Sequence, residues 1–254
     1  MDTVDILYIL GTASLIRNEE IRYSLRCLDR HGRKVGRVVL CGERTDFIGG
    51  DIEYVERHDH SVLGKHWNML DKICTGIKTA KFDRPFLFSC DDHFITRDND
   101  MTEWPQRLRE NKIYTEEEYE REHGRSPGKY QKAVAATGEL IRSHGLPAIN
   151  TVWHGDMWID PKYLDDVMKL AVDNKDKSVY GFEPMMLFEA FMLRDNPNQK
   201  LVRLVSDVKA KSFDDAMSYS SAYGCFSTND RAWMNGRLLK WFRKNYDEKS
   251  RWER

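Results

Sequence analysis

The stretch "FLFSCDDHF" (residues 86–94) decides how this chain reads. Its first five residues carry no charge and are mostly apolar, which suits a strand covered on both faces. The run then ends on two adjacent carboxylates, Asp91 and Asp92, followed by His93. Neighbouring anions repel each other and resist desolvation, so something cationic belongs beside them. Ligands of open α/β sheets bind in the crevice beyond the carboxyl ends of the strands, and an acidic strand end points there.

Working outward, "VDILYILG" (4–11) is a second apolar run, ending in Gly11. "NEEIRYSLRCLDRHG" (18–32) follows, with Ile21, Leu25 and Leu28 at helical spacing, Asn18 placed to cap the start, Glu19 and Glu20 in the first turn, and Gly32 past the end. "GRVVLCG" (36–42) and "IEYVER" (52–57) read as strands, and "GKHWNMLDKICTGIKTA" (64–80) reads as a helix. The order β-α-β-β-α-β, completed by a central strand over 85–94, predicts an α/β fold: a mostly parallel sheet with helices on both faces.

The 254 residues suit one domain: a nucleotide-binding half over 1–100, a charged helical insertion over 101–147, and an acceptor-side half over 148–254. The insertion reads as solvated helices around "HGRSPGK" (123–129), a lid or acceptor-binding element being the other reading. Beyond it, "PAINTVWHGDMWID" (147–160) reads as extended, "PKYLDDVMKLAVDN" (161–174) and "MMLFEAFMLRDN" (185–196) as helices, and "LVRLVSDVKAK" (201–211) as a strand; the tail from 230 reads as a basic, Trp-bearing helix. The formal net charge is −1, so no global basic field argues for nucleic acid. The five cysteines, Cys27, Cys41, Cys74, Cys90 and Cys225, form no CxxC pair, which argues against a zinc site or a disulfide framework. With no signal segment and no bilayer-length apolar run, the expected setting is cytoplasmic and soluble.

Asp91, Asp92 and His93 are the candidate metal ligands; oxygen and nitrogen donors suit magnesium or manganese bridging to a diphosphate. In a continuous strand, Asp91 and His93 would point one way and Asp92 the other, so all three share an ion only if the strand ends at Asp92. Gly11 would let a nucleotide approach the backbone, while Arg22 and Arg26, four apart on one helix face, would meet its diphosphate. Asn68 and Lys72 would reach the base or phosphate, and Asp207 and Lys209, alternating on a strand, would form an ion pair near the phosphates. The candidate catalytic groups are His154, whose ordinary pKa lies near neutrality, Asp156 and Asp92; Asp160 is a rival base, and Glu183 and Glu189 are weaker ones.

The helix "EIRYSLRC" (20–27), the strand after it and the strand end "CDD" (90–92) resemble the central region of the Stealth family, sugar-phosphate transferases of bacterial capsule synthesis. "NTVWHGDMWID" (150–160) is similar to that family's histidine-bearing element, with His154 in the histidine place. "SDVK" (206–209) and "FSTND" (226–230) look similar to blocks in phage-encoded glycosyltransferase relatives. Cys90 stands at the family's asparagine, and "YILGTAS" (8–14) replaces its opening motif. Asp91-x-His93 also looks like the Asp-x-His variant of the metal motif of GT-A glycosyltransferases.

The resemblance implies a GT-A-like, Rossmann-related fold. It also implies a metal-dependent glycosyltransferase with manganese or magnesium, a nucleotide diphosphate sugar as donor (foremost a UDP-sugar), and a hydroxyl acceptor. The acceptor would be a glycan or a hydroxymethylated DNA base. For DNA, two basic tracks are available: Arg121, Arg125, Lys129 and Lys132, or Arg231, Arg237, Lys240, Arg243 and Lys244 with Trp233 and Trp241 to stack. The alternatives are sugar-phosphate or nucleotidyl transfer, and a non-enzymatic nucleic-acid-binding module.

Overall fold

The computed structural model describes residues 2–12, 14–105, 107–108, 112–150, 153–199, 201–203 and 208–254. In chain order the first half holds β1 (Val4–Leu10), α1 (Glu19–His31), β2 (Gly32–Arg33), β3 (Val35–Gly42), β4 (Ile52–Glu56), α2 (Lys65–Thr79), β5 (Phe86–Ser89), β6 (His93–Ile95) and β7 (Asn99–Asp100). The second half holds β8 (Arg107–Leu108), α3 (Glu116–His123), α4 (Lys129–Ser143), β9 (Met157–Ile159), α5 (Leu164–Asp173), α6 (Pro184–Asp195), β10 (Val202–Arg203), β11 (Lys209–Ala210), α7 (Phe213–Tyr223), β12 (Cys225–Thr228), α8 (Asp230–Trp233) and α9 (Arg237–Asn245).

The central sheet has the order β4-β3-β1-β5-β9. Its first four strands run parallel and β9 closes the edge antiparallel to β5. Both faces are covered, which explains why β1 and β5 are apolar throughout. Alternation along β1 sends Tyr8 toward α1, where its hydroxyl meets Ser24 Oγ at 3.3 Å. Leu7 points the other way, against Gly76 of α2; a Cβ at Gly76 would lie 2.9 Å from Leu7 Cδ1, so glycine lets this helix sit close on the sheet. No helix separates β3 from β4; instead the C-terminal segment braces the loop between them, with Gly49 N donating to Trp252 O at 3.0 Å and Arg254 N to Phe47 O at 3.0 Å.

The expected single strand over 85–94 is two strands in two sheets. β5 stops at Ser89, a turn closed by His93 N donating to Cys90 O (3.2 Å) carries Asp91 and Asp92, and β6 pairs antiparallel with β12 in a second sheet, β11-β12-β6. Two adjacent carboxylates cannot continue into a sheet interior, and a turn keeps them partly in water. This second sheet has its own apolar cluster, built from Phe94, Phe226, Trp233, Leu238, Phe242 and residues of α1. α1 serves both cores: Ile21, Leu25 and Leu28 face the main one, Tyr23 and Cys27 the second.

Three further expectations are corrected. The 101–147 region is not wholly a solvated insertion: α4 buries Val134, Leu140 and Ile141 in the main core, although α3 buries nothing. The basic tail helix is a core element, with Phe242 stacked on Tyr23 at 4.7 Å and Trp233 hydrogen-bonded to Thr228 Oγ1 at 2.9 Å. Asn18 does sit at the start of α1, but in the left-handed region (φ 62°) and without a side-chain capping bond. The strand expected over 201–211 is described only at β10 and β11; residues 204–207, Asp207 among them, lie outside the described residues. No helix among the described residues is long and apolar enough to cross a membrane.

Candidate functional site

In this topology the chain moves outward from β1 to β3 and β4, then returns through α2 to place β5 on the other side of β1. The strand order therefore reverses between β1 and β5, and a crevice opens beyond their carboxyl ends. Three segments meet there: the loop 11–18 leaving β1, the turn bearing Asp91 and Asp92, and the start of α2. The second sheet walls the crevice, because Thr228 N donates to Asp92 O at 3.1 Å.

Asp91 and Asp92 are half-buried. Burial, then the charges of Asp92 and Glu20, push the Asp91 pKa up to about 7, with Lys65 opposing. Burial also raises Asp92, and Lys209, His154, His93 and Lys65 offset it. Glu20 is raised too, by burial and by Asp92 and Asp230, while a 2.8 Å hydrogen bond from Ser14 Oγ works the other way. Asp91, Asp92 and Glu20 are thus within electrostatic reach of one another, with Asp230 acting on Glu20, and Lys65, Lys209 and His154 lie around the acidic pair. Such an arrangement binds a ligand that carries both signs of charge, such as a cation together with a phosphate.

Among the described residues, no three His, Cys, Asp or Glu side chains are arranged to hold a metal by themselves. His93 turns into the core instead of toward the crevice, which corrects its assignment as a metal ligand. It is 1 % exposed, with Nδ1 2.9 Å from Asp156 Oδ1 and Trp104 and Trp153 packed on its ring. Burial alone would lower its pKa, but the Asp156 carboxylate outweighs that and raises it to about 10. Asp156 is thereby corrected as a general base: it is 2 % exposed and engaged by His93.

The expected nucleotide contacts divide. Lys209 lies close enough to Asp92 to lower its pKa. Arg22 and Arg26 do share a face, but both are engaged within the chain: Arg22 donates to Glu19 Oε1 at 2.6 Å with its guanidinium over Phe47, and Arg26 holds Glu253 of the C-terminal segment through two bonds of 2.8 and 2.9 Å. Asn68 and Lys72 are buried and internally engaged. Asn68 Oδ1 accepts from His60 N (2.8 Å), while Lys72 Nζ donates to Leu10 O (2.9 Å) and Asp59 Oδ1 (2.6 Å). Gly11 packs against that same Asp59, whose carboxylate would be 3.3 Å from an added Cβ. His154 is half-buried within reach of Asp92; Asp160 instead caps a short turn through Lys162 N (3.1 Å). Glu183 pairs with buried His66 at 3.2 Å, and Glu189 lies inside α6.

Sequence reading missed Glu20 and Lys65 as site residues. Glu20 looked like first-turn helix chemistry and Lys65 like an ordinary helix start; only the chain reversal brings both to the acidic turn. It also missed the strain before α1, where consecutive non-glycine residues Arg17 (φ 57°) and Asn18 (φ 62°) are left-handed. Asn18 Oδ1 is buried there with no hydrogen-bond partner among the described residues. A groove of about 660 Å³ at the opposite end of the sheet is lined by Asp5, Arg37, Glu53 and Arg84. Its charges pair with one another, Arg37 to Asp5 at 3.0 Å and to Glu53 at 3.2 Å, so it is an ion-pair surface. The chain matches no protein-family model and no curated protein.

Proposed function

We propose that the chain is a metal-dependent, GT-A-like glycosyltransferase that takes a nucleotide diphosphate sugar in the β1/β5 crevice. The observation that carries this reading is the Asp91-Asp92 turn at the strand-order reversal, with Asp91 pushed up to about 7 and two lysines beside it. Manganese or magnesium fits this donor set on one condition. Two repelling carboxylates are relieved by a dication, but with no third ligand grouped there among the described residues, diphosphate oxygens and water would complete its coordination. Bound in that way, the ion would stabilise charge on the departing diphosphate.

The chain's own groups supply the rest. Asp91 and Asp92 would hold the ion as carboxylates. Lys65 and Lys209 would pair with phosphate oxygens. The acceptor O–H forms the new bond to the sugar's anomeric carbon as its bond to the β-phosphate oxygen breaks. His154 takes the acceptor proton, and a nucleoside diphosphate leaves.

The test is a thermal-shift series with nucleoside diphosphates, manganese and chelator. Ligand at a hundred times its dissociation constant stabilises by about 2.7 kcal/mol. Asp92→Asn is expected to remove the manganese-dependent part while the unliganded melting temperature holds. Equal stabilisation of both proteins overturns the reading. Turnover that releases monophosphate or pyrophosphate instead of diphosphate reassigns the site to nucleotidyl or sugar-phosphate transfer.

A further inference from the structure

The most exposed large apolar side chains among the described residues gather at one end of the molecule: Val62 (91 % exposed), Met234 (80 %), Val179 (79 %) and Leu15 (71 %). Each sits on a different segment around the crevice. Leu15 is on the loop leaving β1, and Val62, next to half-exposed Leu63, is on the loop entering α2. Val179 lies beside that loop, since Trp67 Nε1 donates to Ser178 O at 3.3 Å and the Tyr180 carbonyl closes on Gly64. Met234 follows α8, which begins directly after Thr228, the residue bonded to Asp92 O. Singly scattered apolar side chains need no explanation, but a ring of them around one crevice does.

Every tip also has an exposed cation two or three residues from an exposed apolar side chain: Arg17 by Leu15, Lys65 by Leu63, Lys177 by Val179 and Arg231 by Met234. Of the acidic residues on the same segments, Asp59 is bonded to Lys72, which leaves exposed Asp176 and Asp230 against four cations. Aliphatic tips flanked by cations match a lipid–water interface, where the tips enter the acyl boundary and the cations meet anionic headgroups. Duplex DNA would satisfy the cations and strand the aliphatics in water. A second copy of the chain would need a continuous face, and here the tips are separated by the crevice mouth.

We propose that this rim docks on an anionic lipid surface, with the crevice facing that surface. Its corollary, an acceptor hydroxyl carried at the lipid surface, rests on the glycosyltransferase reading; the docking does not.

The test is co-sedimentation of the whole chain with phosphatidylcholine vesicles, with and without phosphatidylglycerol. Binding is expected only with phosphatidylglycerol present, and it should weaken as salt is raised. Replacing Leu15, Val62, Val179 and Met234 together by serine should weaken it at least about tenfold, since binding scales with buried apolar area. Arg17→Gln and Lys177→Gln should each weaken it about fivefold. All these positions are exposed, so an unchanged melting temperature confirms that the variants fold. No sedimentation with either vesicle, equal binding to both, unchanged binding of the serine variant, or binding of duplex DNA in place of vesicles overturns the proposal. Manganese-dependent nucleotide binding, measured on the same variants, separates a failure of docking from a failure of the donor-site reading.

Discussion

Half-buried Asp91 and fully buried His93, two residues apart in the chain, both hold a proton more tightly in the folded state than in the unfolded one. Asp91 titrates at about 7 in the folded chain against an ordinary 3.8, so the stability it contributes is full below 3.8 and is lost as pH rises through about 7. Asp91→Asn is therefore expected to raise the melting temperature at pH 8 in chelator and to do little at pH 4. Because the side chain is half-exposed and screened, the gain should be only about 1 kcal/mol, or about 2–4 °C. No rise at pH 8 would mean that neither burial nor the Asp92 charge penalises the Asp91 carboxylate. His93 titrates at about 10 against an ordinary 6.5, so its contribution is full below 6.5 and disappears as pH rises through about 10. Asp156→Asn breaks this buried pair and should cost about 3–5 kcal/mol at pH 7. Urea unfolding at pH 7 and pH 10 checks it: wild type should lose stability over that interval and the variant should not.

At the scale of elements, α1 and α9 carry arginines and lysines that look alike in sequence and act differently. Arg26 of α1 is tied to Glu253, whose side chain is 2 % exposed. A double-mutant cycle of Arg26→Met and Glu253→Leu should give a coupling of about 1–3 kcal/mol. If Arg26 instead held a diphosphate, Arg26→Met would weaken nucleotide binding and leave the melt nearly unchanged. On α9, half-exposed Arg237 meets exposed Asp214 at 3.1 Å and lies over the Phe213 ring at 4.5 Å, whereas Phe242 is fully buried. Arg237→Glu with Lys240→Glu should change stability by less than about 0.5 kcal/mol, while Phe242→Ala should cost about 3–5 kcal/mol.

On the scale of the whole molecule, the two apolar clusters are joined through α1, which buries opposite flanks in each. The C-terminal segment adds a second tie: Trp252 is 1 % exposed in the main core, while Tyr246, at the end of α9, belongs to the other. Unfolding one cluster would strip α1 of half its buried surface. The clusters are therefore expected to melt together, and Phe242→Ala should shift the far-ultraviolet and tryptophan-fluorescence transitions by the same amount. Two separate transitions in the variant would show that the second sheet unfolds independently.

Local pattern alone determined that this chain is α/β, that residues 4–10 form a buried strand and another begins near 86, that α1 starts near residue 18, and that Asp91 and Asp92 follow an apolar strand. Those features follow from apolar runs, helical spacing and the desolvation cost of adjacent anions, all of which act over a few residues. That this strand stops at Ser89 and the chain turns was decided by the fold. Only the tertiary structure decided which charges meet. Arg26 turned to Glu253, some 227 residues away along the chain, and Arg22 to Glu19. His93 turned inward to Asp156, and Lys72 to Asp59. Glu20 and Lys65 instead came to the acidic turn. A side chain's type states what it can bond, but its partner depends on strand order and on which elements the chain reversal at β1 and β5 brings together, and no local pattern encodes that reversal.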